Sequence, residues 1–311
     1  MNGACCSPAP PDADLAAAGG GSAPSGMPLP GGLELVRLPS GSFEMGSEDG
    51  IFPADGEAPI RTVTLSPFEI AAHSVTNAQF ADFAMASGYH TDAERRGSSF
   101  AFVGLIPPVA HDSIRALVAG TPWWAEVVGA SWRAPEGPGS SIDGRLDHPV
   151  VHISHRDALA FCEAYGLRLP TEAEWEFAAR GGLEQRRYPW GDELRPGGRW
   201  RCNIWQGPFP EYNTGEDGFH ATAPVHAFEP NGFDMFNMVG NVWEWCGDWF
   251  AARPPADPAQ DPAGPAAGRS RVIRGGSFLC HESYCFRYRV AARSFNTPDS
   301  SIAHTGFRVA R

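Results

Sequence analysis

The chain has 311 residues, 36 of them Gly and 29 Pro, while Leu, Met and Gln are sparse, a balance that excludes a helical bundle or coiled coil. Hydrophobic residues make up 42%, with 10 Trp and 19 Phe, enough for a sizeable core, so a folded but loop-rich protein is expected. All 24 basic residues are Arg, and the missing Lys excludes a pyridoxal Schiff base, a phosphate-loop lysine and a lysine nucleophile. The net charge, 24 minus 36 or −12, argues against nucleic acid as a partner, because neutralising phosphates needs surplus cations. No window approaches the ~20 apolar residues of a membrane span, so no membrane partner is expected either.

The chain starts with an Ala, Gly, Pro and Ser segment, and residues 1–30 are expected to be a disordered tail ahead of one domain spanning 31–311. No Lys or Arg precedes its short apolar run, so a secretory signal is not supported. Cysteines at 5, 6, 162, 202, 246, 280 and 285 are odd in number, which fits free thiols in a reducing compartment; a cytoplasmic location is expected. Order is expected to begin with alternating strands over 33–38, ending at the turn Pro39-Ser40-Gly41, and over 60–65. Thr76 as N-cap, Gln79 three residues later and Val75 stapled to Phe80 predict a helix running to Gly88. Thr171 and Glu174 predict another, stopped at Arg180-Gly181-Gly182. Between them, Ala158, Phe161 and Cys162 share one face of a helix expected over 157–165. The Gly/Pro-punctuated stretches 95–147 and 251–270 read as surface excursions. Strands, short helices and loops follow no βαβ cadence and no repeat, so the fold class expected is irregular, loop-rich α+β.

Cys280 and Cys285 lie five apart after Gly275-Gly276, placed by a tight loop. Two thiolates suit Cu(I), whereas structural zinc wants four ligands; a local disulfide or two inert buried thiols is the alternative reading. His148, His152 and His155 invite a metal reading. On a strand, however, the first two sit ~13 Å apart and the third points the other way, so hydrogen-bonded structural roles are expected. Two oxygen-rich stretches, one with Asn203, Ile204, Asp217 and Phe219 and one with Asn237, Gly240, Val242 and Glu244, compare with calcium chemistry; the alternative is an Asx turn at Asp217 and an ion pair at Glu244. Trp243, Trp245 and Trp249 read as core. If 286–290 is a strand, Arg287 and Arg289 share a face that is either solvated or lines a groove. Nucleotide, serine-hydrolase and zincin motifs do not occur.

Taken together, GGSFLCHESYCFRYRVAARSFNTPDSS, CNIWQG, NTGEDGF, GNVWEW, RLPTEAEWEFAARGG and the closing GFR resemble the formylglycine-generating enzyme, or sulfatase-modifying factor, family over roughly 33–311. GNVWEW, RLPTEAEWE and RGGSF belong to the wider superfamily; LCHESYC with RYR and NTPDSS marks the oxidase branch. The resemblance implies a single domain related to a duplicated C-type lectin fold and stabilised by calcium, with Asn203, Ile204, Asp217 and Phe219 at one site and Asn237, Gly240, Val242 and Glu244 at the other. It implies O2-dependent oxidation of a cysteine, in a CxPxR segment of an unfolded or extended sulfatase polypeptide, to Cα-formylglycine. Cu(I) is then held by Cys280 and Cys285, the active-site serine is Ser277, the tyrosine is Tyr284, and Trp243 flanks the oxygen pocket. An Arg-lined groove of Arg287, Arg289 and Arg293 is expected to bind substrate backbone. Many members have Trp where this sequence has His155, and no cysteine follows Cys285, in keeping with a cytoplasmic location. A non-catalytic ligand-binding module on the same fold is the alternative from another class; a non-haem iron sulfoxide synthase needs a three-histidine site that the strand spacing disfavours.

Overall fold

Alternation of apolar residues sets the first strands in the computed structural model, which describes residues 26–252 and 258–311. β1 (Leu35–Leu38) pairs antiparallel with β4 (Phe68–Ala71), and β2 (Gly41–Met45) with β3 (Arg61–Leu65). The chain continues through α1 (Asn77–Ser87), α2 (Asp92–Arg96), β5 (Ser98–Phe102), β6 (Ile114–Leu117), β7 (Trp124–Val128), α3 (His155–Tyr165) and α4 (Glu172–Arg180). It ends with β8 (Trp243–Trp249), β9 (Ala259–Gln260), β10 (Arg271–Arg274), β11 (Arg293–Asn296) and β12 (Thr305–Phe307). Among the described residues the strands form four small sheets, the largest ordered β11-β10-β8-β12. The architecture is the irregular α+β expected from the sequence.

Local chemistry sets the helix ends. Thr76 with Gln79 and Thr171 with Glu174 form reciprocal capping boxes, and Gly88 and Gly181 close the same helices in the left-handed region. The helix expected over 157–165 begins two residues earlier, because Ser154 is its N-cap and Asp157 sits at N3 of that box. Other expectations change. The tail expected over 1–30 lies outside the described residues up to 25, but Met27 is anchored, its N–H donating to Ala164 O at 3.0 Å. The 95–147 stretch is no simple excursion: β5, β7 and β6 form a sheet whose Phe100, Phe102 and Trp124 pack on Phe278, Leu279 and Ile302 in one buried cluster. Within 251–270, β9 runs parallel to β3. The histidine run is not a strand, since His152 adopts φ 60°, and neither is 286–290.

A ladder of buried ion pairs crosses the core. Arg274 bonds Glu172 and Glu176, Arg293 bonds Glu172, and Arg308 bonds Glu244, all with both partners buried. A planar fork of donors lets Arg293 and Arg308 each meet a carboxylate through two bonds at once, which suits arginine to these buried positions. Burial pushes the Glu176 carboxyl up, but Arg180 and Arg274 outweigh it and hold it at about 2.

Asp248 is the exception. Its Oδ2 accepts the Glu172 N–H at 2.7 Å, yet burial, followed by the Glu172 charge, pushes its carboxyl up to about 7. A folded-state value above the unfolded one means that the charged form opposes folding: this contribution is present at low pH and is lost as pH rises toward 7. Asp248→Asn keeps an acceptor oxygen without the charge, so its stability relative to wild type is expected to rise by about 1–3 kcal/mol between pH 5 and pH 7. Urea denaturation at the two pH values measures this, and a pH-independent gap between the proteins would refute it.

Candidate active site at the thiol pair

Past the end of β10, the chain turns through Gly275 (φ +95°) and Gly276 (φ +76°). A Cβ on Gly276 would meet the Tyr288 backbone at 3.1 Å, and one on Gly275 would meet Met238 O at 3.0 Å, so both positions need glycine. Two successive turns follow. Cys280 N–H donates to Ser277 O at 2.9 Å, and the Tyr284 and Cys285 N–H groups donate to His281 O at 3.0 and 2.7 Å. They bring the Cys280 and Cys285 sulfurs 3.0 Å apart, both cysteines buried and neither in a disulfide.

The sulfurs border a small aromatic pocket, whose walls include Trp243, Ser277, Tyr284 and His304. Trp123, Phe209 and Tyr284 are half-buried, and inside them Trp124, Trp243, Ser277 and His304 are fully buried. Tyr284 stacks on Phe209 at 4.4 Å, and its hydroxyl accepts the Trp123 indole N–H at 3.1 Å. Ser277 Oγ lies 3.0 Å from His304 Nδ1, and the Ser277 N–H donates to Cys280 Sγ at 3.4 Å. Ser277, Tyr284 and Trp243 are thus gathered around the thiols. Trp123, Trp124, Phe209 and His304 were not singled out from sequence; the Trp123-Trp124 pair inside a Pro- and Gly-rich stretch is the one local signal.

The remaining cysteines differ. Burial pushes the thiols of Cys162, Cys202 and Cys246 up, which keeps them protonated. The histidine run is dispersed: His148 contacts Thr222, His152 contacts Ser99 and Pro135 O, and His155 Nε2 donates to Cys246 O with its ring edge-on to Trp245. Burial lowers His152 to about 4 and His155 to about 3, so both are neutral in the fold.

The arginine groove is corrected by the geometry. Arg287 donates to Asp55, Arg289 meets Glu57 through two bonds of 2.7 and 2.8 Å, and Arg293 grips Glu172. All three are buried, so their charges are met inside the chain and not on a solvent-facing groove.

Of the two oxygen-rich stretches, the first converges. Asp217 forms the Asx turn, its Oδ1 accepting the Phe219 N–H at 2.9 Å; its Oδ2 accepts Ile204 N–H at 3.0 Å and Gln206 Nε2 at 2.7 Å. Gln206 Nε2 also donates to Ile204 O, so one positive donor sits where two of the oxygens meet. Asn203 Oδ1 is buried without a hydrogen-bond partner, and burial pushes the Asp217 carboxyl up from its ordinary value. In the second stretch Asn237 Oδ1 is likewise unpartnered. The Glu244 side chain there is occupied by Ser74, Trp175 and Arg308. The stretches interlock, since a Cβ on Gly240 would meet Asn203 O at 2.4 Å. Trp205 N–H donates to Cys280 O at 3.0 Å, tying the first stretch to the thiol loop.

Fold and site together define an irregular α+β domain with a paired-thiol centre at the boundary between two clusters of the core. The chain belongs to the sulfatase-modifying factor family: the sulfatase-modifying factor enzyme 1-like domain matches residues 27–311. It is 60% identical over 281 residues to the formylglycine-generating enzyme of Thermomonospora curvata, covering 89% of this chain and 92% of that protein. It is 59% identical over 277 residues to that of Streptomyces coelicolor, covering 88% of each. Among solved structures, PvdO from Pseudomonas aeruginosa superposes with a TM-score of 0.64 at 24% identity over 90% of this chain and 94% of its own, a likeness of fold.

Proposed function

We propose that this protein is a formylglycine-generating oxidase, which converts the cysteine of a CxPxR segment in an unfolded or extended sulfatase polypeptide to Cα-formylglycine with Cu(I) and O2. The observation that carries the reading is the buried, unbridged thiol pair at 3.0 Å, walled by Ser277, Tyr284 and Trp243. Its donor set fits Cu(I), a soft ion content with two sulfurs. A substrate thiolate would join the two sulfurs as a third ligand. Bound there, Cu(I) would supply the one-electron chemistry that lets O2 react with a thiol-bearing carbon. Cys280 and Cys285 would hold the metal; Ser277 would offer a hydroxyl in the same pocket; and Trp243 and Trp124, whose buried indole N–H groups have no acceptor, wall it. In the overall change the substrate side chain loses one Cβ–H and its S–H, and O2 takes up the two electrons and two protons. Water then replaces sulfur, leaving the aldehyde and releasing hydrogen sulfide.

The test is mass spectrometry of a CxPxR peptide incubated with Cu(I)-loaded protein and O2. The aldehyde is expected in place of the thiol, and an unaltered peptide bound without turnover would favour the ligand-binding module. The single buried thiols of Cys162, Cys202 and Cys246 support work in a reducing compartment such as the cytoplasm. Among the described residues no helix is long and apolar enough to cross a membrane.

Calcium belongs to the same proposal. Asn203, Ile204, Asp217 and Phe219 would hold one ion where Gln206 Nε2 now bridges two of their oxygens, and Asn237 with the Gly240, Val242 and Glu244 backbone would hold the other. A ligand that binds only the native state adds about 2.7 kcal/mol at 100 times its Kd. Chelation is therefore expected to lower Tm by several degrees, and Asp217→Asn to blunt that response; a melt indifferent to chelator would overturn it.

A further inference from the structure

His304 lies between the NTPDSS and GFR stretches. It is bound to three parts of the site. Its Nδ1 lies 3.0 Å from Ser277 Oγ, its carbonyl accepts the Trp243 N–H at 2.8 Å, and its ring stands edge-on to Trp124 at 4.7 Å. It directly precedes β12, which pairs with β8 at Thr305 and Trp243, so the imidazole is mounted on the largest sheet. Ser277, by contrast, sits on the loop that carries the thiols.

We propose that His304 is a positioning residue: its imidazole locks the Ser277 hydroxyl, and through that hydroxyl the Leu279 N–H beside Cys280, to the sheet. A serine hydroxyl has one proton and two lone pairs. Leu279 N–H takes one lone pair at 3.3 Å and His304 takes a second position, leaving a single polar position for substrate or oxygen. Cys280 hangs from the same residue through two bonds, its N–H to Ser277 O and its Sγ accepting the Ser277 N–H. Those two bonds are to the Ser277 backbone; the hydroxyl itself reaches the loop through the Leu279 N–H, one residue before Cys280, so fixing it steadies the loop that carries the sulfur.

The proposal rests on the oxidase reading for its kinetic consequence but not for its structural one, and the experiment separates them. In Cu(I)-loaded protein, His304→Phe is expected to lower kcat on a CxPxR peptide about ten-fold with KM nearly unchanged. His304→Asn, whose amide can replace Nδ1, should recover most of the loss. Because His304 acts through Ser277, adding His304→Phe to Ser277→Ala should slow the enzyme no further. In metal-free protein, alkylation of Cys280 by iodoacetamide, mapped by mass spectrometry, should be several-fold faster in His304→Phe and in Ser277→Ala, and like wild type in His304→Asn. Should His304→Phe fail to fold, Ser277→Ala breaks the same bond from the other side. Wild-type alkylation rates in both, or losses in kcat that multiply in the double variant, would overturn the assignment. Absence of aldehyde from wild type would instead sink the oxidase reading, while the alkylation rates still decide the anchor.

Discussion

Replacing Cys280 or Cys285 by serine is expected to abolish both Cu(I) binding and aldehyde formation while the fold persists. The change exchanges a soft, ionisable sulfur for a hard and protonated hydroxyl, and leaves one sulfur where two would hold the ion. The loop should survive, because its turns rest on backbone bonds to Ser277 O and His281 O that neither side chain makes. Serine at Cys162, Cys202 or Cys246 should behave differently: those thiols are single and embedded in apolar core, so stability falls while the metal stoichiometry stays at that of wild type. Titration with Cu(I) against a competing chelator, run beside peptide oxidation, measures both quantities. Wild-type turnover in either single variant, or turnover that persists under strict metal exclusion, would return the ligand-binding module to first place.

What the sequence made legible was local. The capping pairs at Thr76 and Thr171 lie three residues from their partners, and the thiol loop is a run of twelve residues with its own glycines, so short-range patterns suffice. Partners far apart in the chain were not legible. Arg287 and Arg289 alternate as strand residues do, but their carboxylates, Asp55 and Glu57, lie 232 positions earlier, and pairing with them pulls the chain out of any sheet. The 95–147 stretch misled for the same reason. Its strands are short and punctuated by Pro and Gly, and they become a packed face only against Phe278, Leu279 and Ile302. With that face come Trp123 and Trp124, two of the aromatic residues that wall the site. Likewise the Asx turn at Asp217 and the ion pair at Glu244, held open against calcium ligation at the sequence level, both form, and the first is compatible with a bound ion in a way the second side chain is not.

Glu244→Ala is expected to cost about 3–5 kcal/mol of stability, a large fraction of the roughly 5–15 kcal/mol that holds a domain folded. Each carboxylate oxygen of Glu244 accepts two bonds: Oε1 from Ser74 Oγ at 2.7 Å and Arg308 Nη2 at 2.8 Å, Oε2 from Trp175 Nε1 at 2.7 Å and Arg308 Nε at 2.6 Å. Arg308 is wholly buried and its other donors go to Ala71 O, Ala72 O and Phe236 O, so truncating Glu244 leaves a guanidinium with carbonyls but no counter-charge. The damage should therefore come from the orphaned cation more than from the lost pair. Glu244→Leu combined with Arg308→Met, which removes both charges together, should be less destabilised than Glu244→Ala alone. Urea denaturation of the three variants decides this. Because all four acceptor positions of the carboxylate are taken within the protein, the response of Tm to chelator should survive in Glu244→Gln, whereas Asp217→Asn blunts it. A Glu244→Ala protein as stable as wild type would overturn the orphaned-cation account, and a Glu244→Gln protein blind to chelator would mean that this carboxylate serves a metal.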